Sequence, residues 1–233
     1  MYRPKAFDVS DLPELHDLMT SIRLAHLVSP TSSGLVGSIV PLLVDRDRGP
    51  HGTLVGHLAR ANHHWRDLTP GVDSMAIFAG PDAYVSPSWY ATKQETGKVV
   101  PTWNYVAVHA YGELVVHDDP QWLEGLVRRL TEVQEAGRDD PWSVDDAPAD
   151  FVRAQLRAIV GIELPIGRIE GKRKLSQNRP AADVARVVAG LAKGTAADRA
   201  VADLMTPALT RRMDGTPVPS SPCEPTGATP PGA

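Results

Sequence analysis

Apolar residues recur at helical spacing in several places along the chain. Leu12, Leu15, Leu18, Met19 and Ile22 share one face, with Asp8 or Ser10 placed to cap the helix and Pro13 tolerable in its first turn. Trp122, Leu123, Leu126, Val127 and Leu130 repeat the pattern behind Asp118 or Asp119, and Gly137 stops that helix just after Ala136. Phe151, Val152, Leu156 and Ile159 mark a short helix over 149–159. Val184, Val187, Val188 and Leu191 form a stripe on a helix opened by Pro180 and closed by Gly194, and 196–205 adds a further helical piece. Elsewhere the period falls to two. Runs at 24–29, 35–44, 53–58, 74–79, 83–86 and 105–110 read as strands. They are separated by PTSSG, a charged loop over 45–52, a loop over 68–73 and a turn at Gly80-Pro81-Asp82. Tyr111-Gly112-Glu113 reads as a hairpin turn into 114–117, and 160–169 as the last strand. Trp89, Tyr90 and Lys93 fall in a loop or short turn. Short strands joined by turns predict a β-barrel core rather than βαβ units, so the fold class is α+β with peripheral helices, the first packed as a lid.

The 233 residues suffice for one domain, placed at 1–213. From Asp214 the chain is Pro, Gly, Ser and Thr with little to bury, which predicts a disordered tail over 214–233. The formal net charge of −4 gives no general attraction for nucleic acid, and no helix-turn-helix pattern is evident. Cys223 is the one cysteine, so a disulfide within the chain and a cysteine-rich metal site are excluded. No apolar run is long enough to span a bilayer and the N-terminus lacks a signal-type apolar region, so a soluble cytoplasmic protein is expected. His57, His63, His64, His109 and His117 contain no helical HxxxH pair, and no metal is expected. G-x-S-x-G, P-loop and GxGxxG motifs are absent, and the acidic pairs Asp139-Asp140 and Asp145-Asp146 suit a solvated loop.

The stretch 99–110, VVPTWNYVAVHA, turns from polar aromatics to an alternating strand. SPSWY (86–90) and TWNY (102–105) each place a Trp and a Tyr beside hydroxyl groups and close to a proline. Such rings either wall a planar ligand or fill the core at strand ends. Further on, Lys172 and Lys174 share a face if GKRK is extended, with Arg173 opposite.

MYRPKAF, GHLARAN (56–62), FAGPDAYVSPSWY (78–90), VPTWNYVAVHAYG (100–112), IVGIELPI (159–166) and GKRKLSQNR (171–179) occur in that order. Together they resemble the PaiB family of FMN-binding negative transcriptional regulators, over roughly residues 1–195. The resemblance implies an FMN-binding split β-barrel related to pyridoxamine-phosphate oxidases, with the flavin at a homodimer interface. It implies Arg60, Lys172 and Lys174 as cations for the FMN phosphate, since ammonium and guanidinium groups match its oxygens. Thr102, Asn104, Gln177 and Asn178 would meet the ring edge, and Trp89, Tyr90 and Trp103 would wall it. His57 and Asn62, inside GHLARAN, join the cofactor-binding set. Expected partners are a second copy and either DNA or a regulatory protein, with no membrane. The alternative activity is that of a flavin-dependent oxidoreductase or haem-handling enzyme. A third reading is a dimeric binding module that has lost its flavin.

Overall fold

In chain order the helices are α1 (Leu12–Ile22), α2 (Thr92–Thr96), α3 (Pro120–Glu135), α4 (Ala149–Leu156), α5 (Ala181–Leu191) and α6 (Ala196–Met213). The strands are β1 (Asp8–Val9), β2 (Leu24–Thr31), β3 (Gly34–Pro41), β4 (Leu43–Asp45), β5 (Thr53–Ala59), β6 (Ser74–Val85), β7 (Thr102–Gly112), β8 (Val115–His117), β9 (Ile159–Pro165) and β10 (Arg168–Lys174). These come from a computed structural model that describes residues 1–213; the tail expected to be disordered lies outside the described residues. The strands form two sheets, ordered β1-β10-β7-β6-β2-β3 and β4-β5-β9-β8.

Local chemistry sets the helix ends. α1 is capped by Asp11, whose carboxylate accepts from Glu14 N at 3.0 Å, rather than by Asp8 or Ser10; Asp8 is taken up in β1. α3 is capped by Asp119, which accepts from Trp122 N at 2.8 Å, and Gly137 follows its end with φ +85°. Pro87–Trp89 is a short 3-10 turn leading into α2, which agrees with the short turn expected around Trp89 and adds a helix after it.

Four strand expectations are corrected by long-range contacts. Gly80-Pro81-Asp82 is not a turn: β6 runs through it. Its β2 partners end at His26↔Ile77, so the N–H that Pro81 lacks is not required on that side. Gly80 is needed for close approach, since a Cβ there would lie 3.2 Å from Val106 Cβ and O. Residues 111–113 are not a hairpin. The chain changes sheets there, and β8 pairs with β9 (Val115↔Glu163, His117↔Gly161). The run 160–169 is two strands. Their junction is held by Ile166 N donating to Gly52 O at 3.0 Å and Gly167 N to Tyr111 O at 2.9 Å, which makes the basic run GKRK part of β10. The run 35–44 likewise splits into β3 and β4, in different sheets.

The described chain packs as two compact units. One comprises Met1, Val9–Gly80 and Val106–Lys172; the other comprises Tyr2–Asp8, Pro81–Tyr105 and the described residues from Arg173 onward. In the first, Leu27, Val40, Leu54, Phe78, Val108, Ile162 and Leu164 form one buried cluster with Leu15 and Met19 of α1. Val55, Leu126 and Leu130 form another, which seats α3 on the outside of the four-stranded sheet. In the second unit, Val184, Val187 and Leu191 of α5 are buried along with Val201, Ala202 and Met205 of α6.

Candidate functional site

In the second unit, strand alternation sends neighbouring residues of TWNY to opposite faces. Asn104 points inward and is fully buried. Its Oδ1 accepts from Ser176 Oγ at 3.1 Å, and its Nδ2 lies 3.3 Å from Met205 Sδ. Ser176 has φ +62°, an uncommon geometry for a residue with a side chain, and this hydrogen bond helps hold it there. Trp103 points outward, 54% exposed, with Tyr84 (46% exposed) set edge-on at 5.8 Å and 71°. Lys174 Nζ donates to Thr102 Oγ1 at 2.5 Å and to the Trp103 carbonyl, which brings a cation to the backbone of the residue that carries the open ring. Gln177 braces its own turn, with Oε1 accepting from Leu175 N at 2.7 Å and Nε2 donating to Arg173 O. Asn178 is exposed.

The other Trp–Tyr pair is packed. Trp89 lies against Gly190 of α5, where a Cβ would come within 2.6 Å of the indole. Tyr90 is buried beneath the Arg179 guanidinium, 4.8 Å from the ring centroid. Its hydroxyl is buried beside that guanidinium, and burial raises its pKa. Asp183 fixes this corner by accepting from Thr92 N at 3.0 Å and Thr92 Oγ1 at 2.9 Å. The two readings of the Trp–Tyr stretches thus divide: SPSWY fills the core and TWNY offers an open face.

In the first unit, GHLARAN is the end of β5 and the turn after it. Arg60 clasps chain ends there. Its Nε donates to Arg157 O at 2.8 Å, its Nη2 to Ile159 O at 2.9 Å, and both terminal nitrogens pair with Asp118. A phosphate would have to displace that carboxylate. Asn62 accepts from His64 N at 3.0 Å and donates to Ser38 Oγ at 2.9 Å. Lys172 is buried on β10. His57 faces α3 beside a cleft lined by Leu130 and Trp142, and its Nδ1 is buried without a partner among the described residues. Tyr84, Ser176, Asp118 and Ser38 join these groups without a signal in the sequence that singles them out. Tyr84 and Ser176 stand inside the family motifs, but their partners are distant along the chain.

His64 is enclosed by hydroxyls, its ring nitrogens 2.9 Å from Ser38 Oγ and 2.8 Å from Ser29 Oγ. Burial lowers its pKa below 6.5, as it does for His57 and His109. Lowered histidine values favour the neutral form in the folded chain, so below pH 6.5 the unfolded chain binds more protons and stability falls. The melting temperature is expected to stay level from pH 8 to about 7 and to drop below about 6.5. His64→Gln should flatten part of that slope; an unchanged slope would remove His64 from the effect.

The open aromatic pair and the nearby ammonium are the kinds of group that a planar ring with an anionic tail requires. Residues 1–168 match the family model described as "Putative FMN-binding domain". The chain is 32% identical over 188 residues to the protease synthase and sporulation protein PAI 2 of Bacillus subtilis, spanning 81% of this chain and 87% of that one. Among solved structures it resembles the FAD and heme binding protein from Mycobacterium smegmatis, at TM-score 0.52 and 19% identity over 81% of this chain and 80% of that one. It also resembles the flavocytochrome Anf3 from Azotobacter vinelandii, at TM-score 0.51 and 14% identity over 71% and 68%. The chain therefore belongs to the PaiB family of FMN-binding proteins, with the flavoprotein split-barrel fold and FMN as the family's cofactor.

Proposed function

We propose that this protein is an FMN-binding negative regulator of transcription of the PaiB type, with its flavin at a homodimer interface. The observation that carries the flavin assignment is the outward Trp103–Tyr84 pair, with Lys174 Nζ bonded to the Trp103 carbonyl. Trp103 would stack on the ring and Lys174, held by Thr102, would meet its polar rim or phosphate, with Asn104 and Gln177 bracing the turn beneath. FMN supplies reversible one- and two-electron chemistry when bound. The test is an absorbance titration with FMN: a perturbed flavin spectrum saturating at one FMN per chain is expected, and an unperturbed spectrum would refute the assignment.

The dimer is supported by the outer face of β2 and β3. The register pairs His26 with Ile39 and Pro30 with Leu35, so these side chains share one side of the sheet. Leu35 is 79% and Ile39 66% exposed, and an apolar strip of this kind on an edge strand invites a partner. A second copy covers it through a two-fold contact. Ile39→Glu should halve the mass measured by light scattering while the chain stays folded; an unchanged mass would move the interface elsewhere. With a net charge of −4, the regulatory step runs through a protein partner. Specific, salt-sensitive DNA binding by pure protein would overturn that partner step.

A second reading, a flavin-dependent oxidoreductase or haem-handling enzyme, is favoured by one observation. His109 Nδ1 lies 3.3 Å from Tyr111 Oη, which donates to Glu170 Oε2 at 3.2 Å, a line of groups able to carry a proton. On that reading a reduced nicotinamide bleaches the bound flavin, and Tyr111→Phe slows the bleaching.

A further inference from the structure

We propose that the cleft beneath α3, beside His57, is a second binding site, one that takes a small uncharged aromatic ring carrying a hydrogen-bond donor. The cleft has a volume of about 530 Å³ and lies within the first unit, with Leu24, Pro41 and Leu130 as apolar lining and Trp142 at its rim. Its size falls within the usual range for small-molecule sites.

His57 supplies the polar group. The registers place His57 and His117 on either side of Gly161, all on one face of the four-stranded sheet. Trp122 fills the space over Gly161, where a Cβ would come within 2.1 Å of the indole, and it stacks on His117 at 4.1 Å and 11°. Helix α3 therefore screens this row from water, and Nδ1 of His57 is left buried with no partner among the described residues. A buried polar atom without a partner is uncommon in native proteins and marks a place where a ligand can complete the bonding. Burial also keeps the imidazole neutral, so it offers one acceptor nitrogen and one N–H rather than a charge.

Of the two charged lining residues, Glu135 is paired with a cation and Arg23 holds a neutral amide. Arg23 Nη1 donates to Gln134 Oε1 at 2.8 Å. Glu135 accepts from Trp142 N at 3.3 Å and pairs with Arg138 at 3.1 Å. Arg23 is exposed, where solvent screens its charge, and the lining is mainly apolar, so a neutral ring is favoured over an anion such as a flavin phosphate. Arg23 itself has φ +64° and ψ −50°, a strained backbone held between α1 and the cleft. Such strain tends to persist at ligand sites.

The test uses the full chain saturated with FMN, indole as the probe, and 1-benzothiophene as a ring of the same shape without the N–H. Calorimetry should show indole saturating one site per chain without releasing FMN, and 1-benzothiophene binding at least fivefold more weakly. ¹⁵N-histidine spectra should show the His57 signal moving with indole. His57→Phe should weaken indole at least tenfold, and Leu130→Trp, which fills the cleft, should do the same. The proposal is overturned if indole does not saturate below its solubility limit, if both variants bind it as the wild type does, or if indole displaces FMN. It is also overturned if His57→Phe abolishes FMN uptake while indole binding survives, because the imidazole would then belong to the flavin.

Discussion

Gly112→Ala is expected to cost about 3 kcal/mol or more of stability, because the added methyl has no place to go. A Cβ at this position would lie 2.0 Å from the Pro165 carbonyl oxygen and 3.1 Å from its carbon. Both contacts are backbone, so no rotamer change relieves them. The position is also where the chain leaves β7 and passes to the other sheet to form β8, so moving either strand disturbs both sheets. Gly125 is the control. It is exposed within α3 with nothing near its missing Cβ, so Gly125→Ala should stabilise by up to about 1 kcal/mol. Urea unfolding of the two variants measures both. A Gly112→Ala midpoint within error of wild type would mean that the strand crossing is looser than described.

Trp103→Ala is expected to weaken FMN binding at least tenfold, with the melting temperature and the dimer unchanged. Stacking of an aromatic side chain on a planar base is worth about 1–3 kcal/mol, the nearest measure for a flavin ring. Trp103 is more than half exposed, so its removal takes little from the core. Asn104→Ala would not make this separation, because Asn104 is fully buried and bonded to Ser176, and its loss disturbs folding and binding together. Lys174→Met tests the other end of the wall: the ammonium is lost while most of the stem remains. Unchanged FMN affinity in a folded Trp103→Ala chain would move the ring to another surface.

Much of the helical and strand content is legible in the sequence because it rests on local spacing. The stripe Val184, Val187, Leu191 requires one buried helical face wherever the helix packs, and Asp119 caps α3 through an atom three residues away. The motif residues that resemble the PaiB family are legible as a set, and the set points to the cofactor class. Their individual duties are not. Trp89 and Trp103 look alike in sequence, yet one is packed against Gly190 and the other is open, because helix α5, about a hundred residues later, covers only the first. Arg60 reads as a free cation until Asp118 and the carbonyls of Arg157 and Ile159 are brought to it. The same holds for Gly80-Pro81-Asp82, a turn by composition that the neighbouring strands keep extended. Local spacing was enough for the helices and most strands, and the ordered motifs for the family and the kinds of group available to a flavin, since each rests on residues near one another in the chain. Tertiary structure alone decided which of those groups are spent on each other and which remain open, because pairing and burial depend on residues that the chain order keeps far apart.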